Sequence, residues 1–132
     1  MLKIIIPGNP ITKKNHGRIV QKKTKSGKTL PIMLPSEVYS KYETYCKQFM
    51  PIMEEPVPYF NEPINLRVLY YMETRRKCDI TNLLQATCDI LVKYKIIEDD
   101  NYSIVASVDG TRVFYDKENP RCEIYIEPLK KD

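Results

Sequence analysis

Ile64-Asn65-Leu66-Arg67-Val68-Leu69-Tyr70-Tyr71-Met72, followed across residues 73–79 by the stretch Ile80 to Tyr94, decides the fold. The first stretch alternates apolar and polar positions and then turns apolar on both faces, as a long central strand does. The second has the helical period. At 100° per residue, Leu83, Leu84, Thr87, Ile90, Leu91 and Tyr94 fall within one arc of about 120°. A strand followed at once by an amphipathic helix is the start of a layered sheet with helices on it. Upstream, Lys3 to Ile6 reads as a strand ended by Pro7-Gly8-Asn9-Pro10. Arg18 to Gln21 and Thr29 to Met33 flank a lysine-rich turn containing Ser26-Gly27, the pattern of a β-hairpin with a basic tip. Ser36 is placed to cap a helix from Glu37 to about Met50, with Val38, Tyr42, Tyr45 and Phe49 as its core face. Residues 51–63 hold four prolines and form a connector. Downstream, Ile104 to Phe114 and Cys122 to Ile126 are expected strands, joined by a turn over Asp116-Lys117-Glu118-Asn119-Pro120. The expected order is βββαβαββ. The expected class is α+β, or mixed α/β: a small mixed sheet, two principal helices and a basic hairpin in one domain over residues 1–132.

Composition narrows the function classes. The chain has 132 residues, 42% hydrophobic and 29% charged, with only four glycines. That is enough for one core without staples, and it is neither collagen-like nor low-complexity. The apolar runs are too short to span a membrane. Residues 1–11 carry one charged side chain and turn early, unlike a signal peptide. Cys46, Cys78, Cys88 and Cys122 lie far apart with no CxxC, so reduced thiols in a cytoplasmic protein are expected rather than a zinc site or a disulfide framework. Charge is uneven. Residues 1–36 hold eight Lys or Arg and no acid, while the remainder holds thirteen basic and seventeen acidic side chains. A basic arm on an acidic body points to a polyanion partner. An anionic membrane is disfavoured because residues 12–29 lack the apolar face of an interfacial helix.

The chemistry concentrates between Arg75 and Asp100. Arg75-Arg76-Lys77 precedes Asp79, which opens the helix. Asn82, Gln85 and Asp89 form a polar stripe at i, i+3 and i+7. After the helix, Ile96-Ile97 leads into Glu98-Asp99-Asp100. Carboxylates gathered at one point repel unless a cation neutralises them, and hard divalent ions prefer carboxylate oxygens. An ion held there can activate water and stabilise charge on a phosphate, with the three cations holding the backbone against it. A plainer reading of the same residues makes Asp79 an N-cap and the acid triplet a solvated turn.

These residues carry a resemblance. The chain resembles the RusA family of Holliday-junction resolvases, endonucleases of bacteria and prophages. The family pattern is a basic run, Asp-x-Asp-Asn-Leu opening a helix with a Lys about one turn on, a later Asp-x-Leu, and an apolar segment ending in Asp-Asp. Here it reads Arg75-Arg76-Lys77, Asp79-Ile80-Thr81-Asn82-Leu83, Asp89-Ile90-Leu91 and Ile96-Ile97-Glu98-Asp99-Asp100. Pro7-Gly8-Asn9-Pro10 to Lys14-Asn15 is similar to the family's Pro-rich entry. The resemblance implies a homodimer that binds four-way DNA junctions and makes paired Mg²⁺-dependent nicks, with Asp79 and Asp100 in the metal site. Two positions depart from the pattern: the second Asp is Thr81, and the helix Lys is Gln85. Neither replacement brings a charge.

The expectation is phosphodiester hydrolysis of Holliday junctions or other branched DNA in DNA recombination and repair. Asp79 and Asp100 hold Mg²⁺, with Mn²⁺ as the alternative ion, and Asp89 or Asp99 supplies the missing carboxylate. Asn82 and Gln85 orient ligands from behind. Arg75, Arg76 and Lys77 grip phosphates beside the cut. Lys13, Lys14, Asn15, His16, Arg18, Lys22, Lys23 and Lys25 meet duplex arms further out. His16, the only histidine, is expected to contact DNA or solvent rather than move protons. The rival from another class is a non-catalytic branched-DNA-binding protein whose metal site has decayed through Thr81 and Gln85. A third reading is a nuclease acting on other branched or single-stranded DNA.

Overall fold

A computed structural model describes residues 1–13, 18–34, 37–51 and 60–129; for 18–22 and 31–34 it describes backbone alone. The elements are β1 (Leu2–Pro7), β2 (Arg18–Lys23), β3 (Thr29–Leu34), α1 (Glu37–Cys46), a 3-10 turn (Lys47–Phe49), β4 (Ile64–Met72), α2 (Ile80–Lys93), β5 (Val105–Ser107), β6 (Arg112–Tyr115) and β7 (Arg121–Pro128). The class is α+β, with two helices and a mixed sheet. No helix of the described residues is long and apolar enough to cross a membrane.

β4 lies inside the sheet, as its apolar character requires. On one side it pairs antiparallel with β7, which in turn pairs antiparallel with β1. On the other side it runs parallel to β5 and β6. Parallel neighbours need a crossover, and α2 is that crossover. Ile64, Leu66, Val68 and Tyr70 alternate into the core at 1% exposure or less. Ile4 and Ile6 join them from β1, and Cys122, Ile124 and Ile126 from β7. Leu83, Cys88, Ile90 and Leu91 of α2, Cys46 of α1, and Ile96, Ile97 and Ile104 of the following loop complete the same cluster. Each such aliphatic side chain contributes about 1.5–3 kcal/mol by leaving water. A buried hydrogen bond crosses this core: Tyr70 Oη lies 2.6 Å from Thr87 Oγ1. At the far end of α2, Lys93 pairs with Glu43, and Tyr94 Oη donates to the Glu43 carbonyl at 2.8 Å. The opposite sheet face is covered by stacked cations and rings, among them Arg121 over Tyr71 at 3.7 Å and Arg67 over Tyr125 at 4.1 Å.

Three expectations change. The strand expected over Ile104–Phe114 is two strands, β5 and β6, so the order is βββαβαβββ. Both pieces lie along one edge of β4, and side chains bridge the gap between them. Asn65 accepts from Asp109 N at 2.8 Å and donates to Asp109 O at 3.1 Å. Thr111 Oγ1 accepts from Val68 N and donates to Leu66 O, both at 3.2 Å. Gly110 sits in the gap at φ +87°, where a Cβ would fall 2.5 Å from Arg67 Cδ. The first helix stops at Cys46 and tightens into the 3-10 turn. Its core face is also shifted: Tyr42 and Phe49 pack against the core as expected, but Tyr39 and Cys46 are the buried residues and Val38 and Tyr45 are exposed. Its expected cap, Ser36, lies outside the described residues. The basic hairpin forms as expected, β2 against β3, with Thr24 N bonded to Lys28 O at 2.7 Å. All four cysteines are free thiols.

Candidate functional site

α2 presents its polar stripe beside the loop that follows it, and local chemistry brings the two together. Lys95 ends the helix at φ +58°. Lys95 N bonds Val92 O at 3.1 Å and Ile96 N bonds Leu91 O at 2.8 Å, the paired bonds that turn a chain sharply off a helix. Ile96 and Ile97 then bury, and Phe60 brackets them through Phe60 N to Ile96 O and Glu98 N to Phe60 O, both at 2.9 Å. This fold-back returns Asp100 to the helix.

Gln85 is the meeting point. Its Nε2 donates to Asp89 Oδ1 at 3.0 Å and to Asp100 Oδ2 at 3.3 Å. The two carboxylate oxygens are therefore no further apart than those two contacts together. Asp89 Oδ2 is paired with Lys13 Nζ at 3.0 Å. Asp99 braces the loop: its Oδ1 accepts from Asp100 N at 2.7 Å, and its Oδ2 accepts from Asn101 at 3.0 Å. The Asp100 N–H holds the Asp99 carboxyl below the ordinary carboxylate range. Asp79 occupies the N-cap position of α2, with its carbonyl accepting from Asn82 N and Leu83 N. Its side chain makes no capping hydrogen bond. The carboxylate is exposed and has no ion pair among the described residues. Asn82 is partly exposed one turn further along. Burial pushes the Cys88 thiol, behind the stripe, up to about 12, and the Asp100 and Asp89 charges add to the shift. That thiol is inert as a nucleophile.

Arg75 stacks over Tyr115 at 4.1 Å. Arg76 and Lys77 are exposed and line a cleft of about 250 Å³ between residues 9–12 and 72–78. Lys23 and Lys25 are exposed at the hairpin tip. Of Arg18 and Lys22 only the backbone in β2 is described, and Lys14, Asn15 and His16 lie outside the described residues. The i, i+4 contact of Gln85 with Asp89 was legible in the spacing. The pairing of Lys13 with Asp89 was not, nor was Tyr39 beneath it, 5.2 Å from Lys13 Nζ to the ring centroid. No local signal links residues so far apart in the chain.

Among the described residues, no three Asp, Glu, His or Cys side chains are grouped so as to hold a metal ion unaided. The donor set nevertheless fits a hard divalent cation. Two carboxylates converge on one amide, and Mg²⁺ commonly takes one or two carboxylates and fills its other positions with water and substrate phosphate.

No curated protein matches the chain. The family model described as Endodeoxyribonuclease RusA matches residues 7–127, which takes in both helices, the acidic loop and every strand except most of β1. This chain therefore belongs to the RusA endodeoxyribonuclease family.

Proposed function

We propose that the chain is a divalent-metal-dependent, structure-specific endonuclease that resolves four-way DNA junctions by paired nicks as a homodimer. The observation that carries this reading is the Gln85 amide, which gathers Asp89 of α2 and Asp100 of the returning loop at one point. Family membership supplies the reaction class. Asp100 and Asp79 would hold Mg²⁺, with Mn²⁺ as a substitute, and Asp89 would assist. Asp99, with both oxygens engaged in the turn, would brace Asp100 and join the ion only on rearrangement. When bound, such an ion supplies an activated water and stabilises charge at the scissile phosphate. Asn82 and Gln85 orient oxygens around the acids. Arg75, Arg76 and Lys77 hold the phosphates beside the cut. Lys23 and Lys25, with the rest of the basic segment from Lys14 to Lys22, meet duplex arms through the phosphate backbone. Two equal nicks across a junction need two equivalent sites, which a two-fold dimer provides.

The test is a synthetic four-way junction incubated with the protein, with and without Mg²⁺. Paired nicks in the presence of Mg²⁺ alone support the reading, and Asp79→Asn should then abolish cleavage while junction binding stays equal or tightens. Retarded but uncut DNA under both conditions would favour the non-catalytic branched-DNA binder, which the neutral Thr81 and Gln85 allow. Equal cutting of flap or linear DNA would reassign the substrate.

A further inference from the structure

We infer that Lys13 is the positioning cation of the acidic site, supplying from the chain's first segment the positive charge that α2 does not carry at position 85. The inference rests on the nuclease reading above and deepens it. Lys13 Nζ and Gln85 Nε2 occupy the two oxygens of one carboxylate, Oδ2 and Oδ1 of Asp89, each at 3.0 Å. Gln85 also reaches Asp100, but an amide orients carboxylates without offsetting their charge. Among the described residues, Lys13 is the cation that forms an ion pair with the acids of this set.

The ammonium is delivered by an anchored segment. Gly8 N bonds Pro120 O at 2.9 Å, Asn9 Oδ1 accepts from Glu73 N at 2.8 Å, and Thr12 is buried at 3% exposure. Lys13 then lies over the buried Tyr39 ring. Its side chain is still 45% exposed, so the ammonium can turn from Asp89 to a DNA phosphate without disturbing the core. In the free protein it holds one oxygen of Asp89 while Gln85 holds the other, beside Asp100. With DNA bound it stands within reach of the phosphate that approaches those acids. Because position 85 reaches the same carboxylate from the helix, a lysine placed there would deliver its charge to the same point.

That equivalence gives the experiment. Wild type, Lys13→Met, Gln85→Lys and the double variant are compared in two assays. The first is Mn²⁺ binding to the DNA-free protein, followed by electron paramagnetic resonance. The second is junction cleavage at saturating junction, with the junction Kd measured separately. Lys13→Met should bind Mn²⁺ more tightly, since no ammonium competes for Asp89, and should cut about 10–100-fold more slowly at saturating junction, a loss that weaker junction binding does not account for. Adding Gln85→Lys should reverse both changes. A structural role for Lys13 would not be rescued from the helix. Unchanged Mn²⁺ affinity in Lys13→Met, or a double variant as slow as the single, overturns the inference. Should wild type cut no junction, the nuclease reading fails on its own, and the Mn²⁺ titration still decides the role of Lys13.

Discussion

Removing one hydroxyl from the middle of the core tests how β4 holds the helix that bears the site. Tyr70 is 1% exposed, and its Oη lies 2.6 Å from Thr87 Oγ1. Thr87 Oγ1 in turn donates to Leu83 O at 3.0 Å, so the Tyr70 hydroxyl is the donor of the pair. Burial raises the Tyr70 phenol well above its ordinary value, so it stays a neutral donor across the working pH range. Tyr70→Phe leaves Thr87 with its own donor bond intact, and the loss should be about 1 kcal/mol. Thr87→Val strands the buried phenol without an acceptor, and should cost more, about 2–3 kcal/mol. The double variant removes both partners, so its cost should fall short of the sum by about 1 kcal/mol or more. Equilibrium urea unfolding of the three variants, with unchanged m values, measures each quantity. Additivity to within about 0.5 kcal/mol would show that the two hydroxyls do not depend on each other, and would refute the argument.

Other expectations follow from the same contacts. Gly110→Ala forces a side chain onto a residue at φ +87° and against Arg67, and should lower stability by about 1–2 kcal/mol, visible as a lower Tm; an unchanged Tm contradicts the account of the β5–β6 gap. Glu123 is held below the ordinary carboxylate range by the Tyr125 hydroxyl and then by Arg121. Its folded value lies below its unfolded one, so its stabilisation is complete above the ordinary carboxylate range and is lost as the pH falls through the lowered value. Glu123→Gln should therefore flatten the acid side of the stability–pH curve, and a curve parallel to wild type would count against it. Replacing Lys22, Lys23 and Lys25 with Ala should weaken DNA binding without sequence preference and reduce the salt slope by about 1 for each lysine that meets a phosphate. An unaltered slope would remove the hairpin from the DNA surface.

Much of this architecture was legible because it is written in local periodicity. Ile64–Met72 and the helix from Ile80 announce themselves, since one long apolar-rich strand with alternate positions buried and one apolar arc leave few alternatives. The turn at Asp116 to Pro120 was legible from its residue types, and Asn119 N does bond Asp116 Oδ1 at 3.1 Å. The break at residues 108–111 was hidden because its causes lie elsewhere: Asn65 and Thr111 supply across strands the hydrogen bonds that a continuous ladder would have made. The shifted face of α1 was hidden because tyrosines populate more than one arc of that helix, and only packing chooses Tyr39 over Val38. At the site, the polar stripe and the acid triplet could be read from spacing. The Gln85 bridge to Asp100 depends on the fold-back at Lys95, and the Lys13 contact depends on the whole sheet placing the first segment beside α2.

The most direct measurement of the central claim is an anomalous difference map from crystals soaked in Mn²⁺. The account predicts one strong peak bonded to carboxylate oxygens of Asp100 and Asp79, with Asp89 at hand, and its disappearance in Asp100→Asn crystals. A map with no ion at those oxygens, or an ion held by a different set of side chains, would contradict it.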